Sequence, residues 1–502
     1  MRNENNDTRS LYLMTLQQVE SNELDEAQKY IEKALLFEPD NVIFQLTLAN
    51  ILKTKGSMAA ACELLLTITK NHPDSAAAFN NLGTIYYAQN QLEQALAAYE
   101  AAIDIQPNYI DAYYNLGLTL SKANRYQVAM QTYAALITLS PQHLAARFQL
   151  ACLFMQQHQY EKAVEQFLAI EKNQPHHFET KINLGTCYLK LQNLHAAKAM
   201  YLQAYDLLAT DAQVLFNLGI IYSAQGEIHD AIRFYLLALK KDPDLFSAHN
   251  NLGIAYWSLK NKQAALLHFR SALKLQPSNI AIKHTINILN GEKNISVSPP
   301  EYISHLFDSY ASYYDAHLTQ TLSYEVPQLM YDAICQLVEI KSSSWDILDL
   351  GCGTGLCGER FKQFARSLTG VDLSEKMLEL AQLKNIYTEI HRADFFIFLS
   401  QNKKNYDLII AGDVLVYVGY LSQLIADVNC NLKSDGYFVF NTELMEGEGY
   451  LMTESGRFAH GHQGLQQLAR EQNFEIISQR IFNLRKQNNL PVRGLLNIWK
   501  KL

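Results

Sequence analysis

The chain has 502 residues, enough for three or four domains at roughly 150 residues each. With 48% hydrophobic and 18% charged residues it is ordinary globular material, which excludes a wholly disordered, collagen-like or mucin-like chain. Basic residues number 24 against 26 acidic ones before residue 295 and 18 against 24 after it, so neither half carries the excess that non-specific nucleic-acid binding needs.

The first ten residues, Met1 to Ser10, are polar, and no apolar core follows them as in a secretory signal. No stretch approaches the roughly 20 consecutive apolar residues of a membrane span. Seven scattered cysteines without a C-x-x-C pair argue against a disulfide framework or a zinc site. The expected setting is cytoplasmic, without a membrane partner or a metal.

Prolines then announce a repeat. Pro39, Pro73, Pro107, Pro141, Pro175, Pro243 and Pro277 fall on one 34-residue comb, broken only at Ala209. Twelve residues before each tooth stands an alanine: Ala27, Ala61, Ala95, Ala129, Ala163, Ala197, Ala231 and Ala265. Four residues after that alanine comes an aromatic or aliphatic side chain, such as Tyr99, Phe167 or Tyr235. Most copies also carry Leu-Gly-x-x-Tyr or a near variant, as in Leu82, Gly83 and Tyr86.

These residues resemble tetratricopeptide repeats, in which two amphipathic helices pack face to face and proline closes the unit. The pattern implies eight ungapped copies from Thr8 to Asn279 and a capping helix from Ile280 to Leu289. One polar position recurs before the leucine: Asn81, Asn115, Asn183, Asn217 and Asn251. An amide offers both a donor and an acceptor. A ladder of amides on the concave face is expected to bind the backbone of a protein or peptide partner, unless the amides only bond within or between helices.

After Asn290-Gly291 the comb stops, and Ser296 to Pro300 has linker chemistry. The expected organisation is a solenoid over 8–290, a linker over 291–300 and a second domain over 301–502. Ile347–Leu350, Leu368–Val371, Tyr406–Ala411 and Tyr437–Asn441 read as strands with helices between them, the βαβ signature of a mostly parallel sheet.

The first strand runs into Asp349-Leu350-Gly351-Cys352-Gly353-Thr354-Gly355, and the second ends at Asp372-Leu373. Glycines let a cofactor approach the backbone closely. The third glycine falls one place early for a dinucleotide fingerprint, and a carboxylate at Asp349 would repel a pyrophosphate. A phosphate-free cofactor with a positively charged amino-acid tail suits Asp349, while Asp372 can accept both hydroxyls of a ribose.

S-Adenosylmethionine fits that description, and Leu348 to Gly355 resembles the first motif of class I methyltransferases. The resemblance implies an α/β Rossmann-like domain behind the all-α superhelix, with Asp349, Gly351, Gly353, Gly355, Asp372, Leu373, Met377, Ala393, Asp394, Phe395 and Asp413 at the cofactor. Leu306 to Asp308, Tyr310, Tyr314, Gly412 to Tyr417 and Ser455 to His460 further resemble predicted methyltransferases that carry tetratricopeptide repeats. Tyr310, Tyr314 and Arg457 are therefore candidates for a lid or substrate wall.

The pattern departs from that family at Gly461-His462-Gln463. Gly412-Asp413-Val414-Leu415 lacks the prolines typical of base-amine and amide methylation, and no Pro-Cys nucleophile for cytosine is present. A carboxylate acceptor needs no general base, whereas a hydroxyl or amine does, with His317, Tyr417 and His460 as candidates. The expected function is a methyltransferase whose repeats recruit a protein substrate or adaptor. The alternatives are a binding scaffold with a vestigial or cofactor-sensing domain, and a small-molecule methyltransferase that uses its repeats for assembly.

Overall fold

The computed structural model describes residues 2–208, 210–292, 295–311, 314–316, 324–337, 343–453, 455–487 and 490–502; the side chains of 2–7, 309–310, 316, 485–487 and 490 lie outside that description. The chain forms two compact units, 1–241 and 242–502.

The first unit consists of seven helical pairs: α1 (Arg2–Glu20) with α2 (Leu24–Phe37), α3 (Val42–Thr54) with α4 (Met58–Asn71), α5 (Ala76–Ala88) with α6 (Leu92–Ile105), α7 (Ile110–Lys122) with α8 (Tyr126–Leu139), α9 (Leu144–Gln156) with α10 (Tyr160–Asn173), α11 (Phe178–Lys190) with α12 (Leu194–Leu207), and α13 (Ala212–Ala224) with α14 (Ile228–Lys241). This is a tetratricopeptide superhelix, and the comb explains its packing. All eight comb alanines are fully buried. The glycine of each Leu-Gly pair leaves room for the aromatic ring of the partner helix: a Cβ at Gly83 would lie 2.6 Å from the Tyr99 ring, at Gly117 2.5 Å from Tyr133, and at Gly219 2.4 Å from Tyr235.

The turn inside each pair has its own period. Asn22, Gly56, Asn90, Asn124, His158, Gln192, Gly226 and Lys260, spaced by 34 residues, all adopt a left-handed backbone, which ends the first helix and reverses the chain. Among the described residues no helix is long and apolar enough to cross a membrane.

The second unit begins with the eighth pair, α15 (Phe246–Ser258) and α16 (Lys262–Leu275), and the capping helix α17 (Ile280–Asn290), which ends at a left-handed Gly291. Next come α18 (Pro300–Tyr310), a short helical turn α19 (Tyr314–Ala316) and α20 (Val326–Leu337). The α/β part follows as β1 (Trp345–Leu350), α21 (Leu356–Phe361), β2 (Ala365–Asp372), α22 (Glu375–Leu383), β3 (Glu389–Arg392), α23 (Phe395–Gln401), β4 (Tyr406–Ala411), α24 (Ser422–Asn431) and β5 (Leu432–Met445), then β6 (Tyr450–Met452), β7 (Phe458–Gly461), α25 (His462–Glu471), β8 (Phe474–Gln487) and β9 (Leu490–Lys501).

The sheet order β3-β2-β1-β4-β5 is parallel throughout, and β9 joins β5 antiparallel with β8 outside it. Strands buried on both faces read as continuous apolar runs; Ile347, Leu348, Leu408, Ile409 and Ile410 are fully buried. Order reverses between β1 and β4, so the loops after β1, β2 and β4 converge at one crevice. The long β5 is shared at its end: Glu443 pairs with Gly494 of β9 and with Ala459 of β7.

The glycine–ring contact yields a test. Alanine at position 117 gains about 1 kcal/mol of helix propensity, yet its Cβ would overlap a fully buried Tyr133 ring at 2.5 Å. Overpacking of this kind costs about 1–3 kcal/mol. Gly117→Ala is expected to lower the urea midpoint followed by circular dichroism; an unchanged or higher midpoint would show that the ring yields freely.

Candidate functional site

The loop after β1 is built from left-handed glycines: Gly351 (φ 63°), Gly353 (φ 54°) and Gly355 (φ 91°), the last standing at the N-cap of α21. A Cβ at Gly351 would strike Val414 Cγ2 at 2.4 Å, whereas one at Gly353 would meet nothing within 4 Å. The first glycine is therefore demanded by the β4 loop, and the second leaves its backbone bare above open space.

Asp372, at the end of β2, holds this loop. Its carboxylate accepts the Gly353 N–H (2.9 Å) and the Ser374 N–H (2.8 Å). Ser374 caps α22 and donates its hydroxyl to Asp308 of α18 at 2.5 Å. A second tie joins Thr354 of the glycine loop to Asp315, which also pairs with Lys384 at 3.1 Å. Burial raises the Asp372 pKa against the pull of its backbone donors.

The crevice forms a pocket at the ends of β1, β2 and β4. Gly351, Gly353, Asp372 and Leu373 form one wall, Ala393 and Phe395 a second, and Gly412, Asp413, Val414 and Tyr417 a third. Ile303 and Phe307 of α18, with Tyr314, stand over it. Seven of the eleven residues expected at a cofactor, Gly351, Gly353, Asp372, Leu373, Ala393, Phe395 and Asp413, thus meet in one place.

The other four lie behind the wall. Gly355 faces the Tyr387 ring, at 3.1 Å from an added Cβ, and Met377 is fully buried in α22. Asp394 caps α23, accepting N–H bonds from Phe396 (2.8 Å) and Ile397 (3.3 Å). Asp349 is buried, and the Tyr387 hydroxyl donates to its Oδ2 at 2.7 Å. Burial pushes its pKa up to about 7, against the donors Tyr387 and Gly358. The direct contact expected between Asp349 and a ligand is thereby corrected: a distant tyrosine takes up the carboxylate.

Tyr387 is the main residue that the sequence reading missed. Its ring also fills the space beside Gly358 and Gly370, where added Cβ atoms would lie 2.4 and 3.0 Å away. Glycines without a turn to make are the signal that an aromatic ring must pass.

Asp413 has a left-handed backbone (φ 62°), stabilised by its N–H donating to Asn441 Oδ1 at 2.7 Å. Arg457 reaches its carboxylate at 2.9 Å, Glu443 at 3.6 Å and the Tyr417 hydroxyl at 3.2 Å. Burial works against the Arg457 charge, but Asp413, Tyr417 and Glu443 more than offset it, so the guanidinium stays charged. Arg457 is not among the residues lining the pocket; it holds Asp413 and Tyr417, which are.

His460 is also corrected. It is buried, its Nε2 lies 2.9 Å from the Val418 carbonyl and 3.1 Å from that of Gly419, and burial lowers its pKa to about 4. It braces that turn as a neutral imidazole outside the pocket, whereas Tyr417 lines it. Tyr314 is in the pocket wall, with its pKa pushed well up by burial. His317 and the Tyr310 side chain lie outside the described residues.

Among the repeat asparagines, Asn81 and Asn183 are half-buried and their amides make no hydrogen bond among the described residues. Asn115 donates to Asn80 Oδ1 at 3.0 Å. Asn217 is buried, donates to the Tyr201 hydroxyl (2.9 Å) and accepts from Gln213 (3.0 Å), so its amide is engaged inside the repeat rather than open to a ligand. Asn251 lines a cavity in the second unit.

The buried Asp349 sets a pH dependence. Its folded pKa of about 7 stands above the ordinary 3.8, so the folded chain holds a proton that the unfolded chain releases between those values, and this contribution to stability falls as pH rises from about 4 to about 7. Asp349→Asn keeps an uncharged group there. Its melting temperature relative to the parent should rise between pH 4.5 and 8; a constant difference across that range would refute the shift.

Comparison with known proteins agrees with this geometry. Tetratricopeptide-repeat family models match residues 18–84, 83–124, 110–143, 148–212, 221–260 and 246–279, and a methyltransferase-domain model matches 348–440. The chain is 30% identical over 146 residues to the malonyl-acyl-carrier-protein O-methyltransferase of Halalkalibacterium halodurans, covering 27% of this chain and 52% of that protein. It is 25% identical over 134 residues to the ubiquinone biosynthesis O-methyltransferase of Hydrogenovibrio crunogenus, covering 26% and 54% respectively. The chain therefore spans about half the length of these curated relatives. A solved structure, the C-terminal part of a tetratricopeptide-repeat protein from Cytophaga hutchinsonii, aligns at 16% identity and a TM-score of 0.43 over 47% of this chain and 98% of that one. The chain joins tetratricopeptide repeats to a class I methyltransferase domain and resembles the methyltransferases that carry such repeats.

Proposed function

We propose that residues 301–502 form an S-adenosylmethionine-dependent methyltransferase, joined by a linker over 291–300 to a solenoid over 8–290 that recruits a protein substrate or adaptor. The observation that carries it is the pocket in which a left-handed glycine loop and the carboxylates of Asp372 and Asp413 meet at the ends of β1, β2 and β4. The residues fit the cofactor. Gly353 presents bare backbone to open space, Asp372 offers an acceptor at the wall, and Leu373, Ala393 and Phe395 supply apolar surface for a base.

When bound, S-adenosylmethionine supplies a methyl group open to direct displacement. On this reading Asp372 accepts the ribose hydroxyls, while Ala393 and Phe395 flank the adenine. Asp413 stands nearest the methyl end, held there by the positioning residues Arg457 and Asn441. Asp349, Gly355, Met377 and Asp394 shape the loops from behind. Tyr417 is the pocket hydroxyl available to move a proton if the acceptor is a hydroxyl or amine. Unpaired cysteines at all seven positions support a cytoplasmic setting.

A second reading, a small-molecule or carrier-bound acceptor with the repeats serving assembly, is favoured by the curated relatives, both named as O-methyltransferases. Transfer of labelled methyl from the cofactor to a cell lysate separates the two by whether label enters protein or small-molecule fractions.

Calorimetry on the full chain should give one S-adenosylmethionine per chain. Asp372→Asn should weaken it by about 10- to 100-fold, the loss of a charge-assisted bond worth about 1.5–3 kcal/mol. Undiminished affinity, or tighter binding of a nicotinamide dinucleotide, would overturn the cofactor assignment.

Recruitment rests on the open amides. Asn81→Ala with Asn183→Ala should leave the melting temperature and cofactor affinity unchanged while reducing capture of protein partners. Full retention of partners would return these asparagines to a structural role.

A further inference from the structure

The second unit contains another cavity, of about 740 Å³, between α15, the start of α17 and α18. Its volume lies within the range of small-ligand and peptide-side-chain sites, about 300–1,000 Å³. The floor is apolar: Ile254 is 50% exposed, Leu306 36%, and the Trp257 ring stands over Phe269. Three polar residues of its lining, Asn250 and the exposed Glu301 and His305, have no side-chain hydrogen-bond or ion-pair partner among the described residues. Glu301 is the one carboxylate of the lining, which contains no lysine or arginine.

The position is as informative as the lining. Helix α18 is shared: its Tyr302, His305 and Leu306 face this cavity, while its Ile303 and Phe307 face the pocket at the glycine loop. The same helix is tied to the loop after β2 by Asp308 and Ser374. An occupant of the cavity therefore sits one helix, roughly 10–12 Å across, from the candidate methyl-transfer pocket.

We propose that this cavity seats a segment of the methyl-accepting protein, a peptide with a bulky apolar side chain flanked by lysine or arginine. The apolar side chain takes the Ile254–Trp257–Leu306 floor, Asn250 pairs with the peptide backbone through its donor and acceptor, and Glu301 faces the basic residue. Crossing one helix takes at least about three extended residues at roughly 3.3 Å each, so the methylated residue stands at least that far along the peptide from the anchor. The proposal rests on the methyltransferase reading for its acceptor, but not for its seat.

The test selects 12-residue peptides from a random library on the immobilised full chain and measures the consensus peptide by Trp257 fluorescence and calorimetry. The expected consensus pairs an aromatic or large aliphatic residue with a neighbouring Lys or Arg. Ile254→Arg should weaken it at least tenfold, and Glu301→Lys should remove or reverse the charge preference, both with S-adenosylmethionine affinity within twofold of the parent. No selected peptide, an acidic or featureless consensus, or equal binding to both variants would overturn the proposal. If the parent chain bound the peptide but no S-adenosylmethionine, the cofactor reading would fail while the seat stood.

Discussion

The carboxylate of Asp372 joins three parts of the C-terminal unit that the chain brings in from far apart. It accepts N–H bonds from Gly353 in the loop after β1 and from Ser374 in the loop after its own strand, and Ser374 passes the connection on to Asp308 of α18. Without an acceptor there, the buried Ser374 N–H at the start of α22 would be left unsatisfied, at about 1–3 kcal/mol, and the glycine loop would lose the bond at Gly353 that holds it. Burial opposes that charge, and the backbone donors resist the resulting rise in pKa. One side chain thus links the pocket wall to the start of α22 and, through Ser374, to α18.

The β4 loop obeys a similar constraint with a different solution. Asp413 is a non-glycine residue in left-handed backbone, a conformation that costs about 1–3 kcal/mol. Asn441 takes its N–H from the neighbouring strand β5, and Arg457, arriving from the turn before β7, takes its carboxylate. Glu443 shares the same guanidinium, so two carboxylates and one cation are buried together. Such clusters gain little over apolar packing; what this one provides is a fixed place for Asp413, because removing Arg457 would leave two buried carboxylates without their cation.

These two constraints explain what the sequence made legible. The repeat could be read from Ala27 to Ala265 because a buried alanine recurs at every 34th position, and in five copies a glycine against an aromatic ring supports it. Gly351, Gly353 and Asp372 were legible because backbone conformation and a strand end dictate them locally. Asp349 was misread because its partner Tyr387 lies 38 residues away, and no local rule connects them. Arg457 was a substrate-wall candidate through the family resemblance and His460 a candidate base; their partners, Asp413 and the Val418 carbonyl, come from another loop. Asn217 shares its dipeptide with the open Asn81 and Asn183, and differs only in having Tyr201 and Gln213 within reach.

Packing, rather than the linker, makes the capping helix α17 part of the second unit. Gly456 has a left-handed backbone, and a Cβ there would lie 3.1 Å from Ile288 Cδ1 of α17 and 3.4 Å from the Tyr302 hydroxyl of α18. His284 of α17 meets the Tyr302 ring at 4.7 Å, and its burial, which lowers its pKa to about 4, keeps it neutral and apolar enough to serve as core. The turn that carries Arg457 thus rests on the capping helix, and through Arg457 the capping helix supports Asp413 in the pocket wall. A repeat array that ends on such a helix does more than present a groove: its last element is part of the scaffold that holds the β4 loop. Cutting the chain at Pro299-Pro300, where composition alone places the seam, would strip Ile288 and His284 from beneath the residues that position the site.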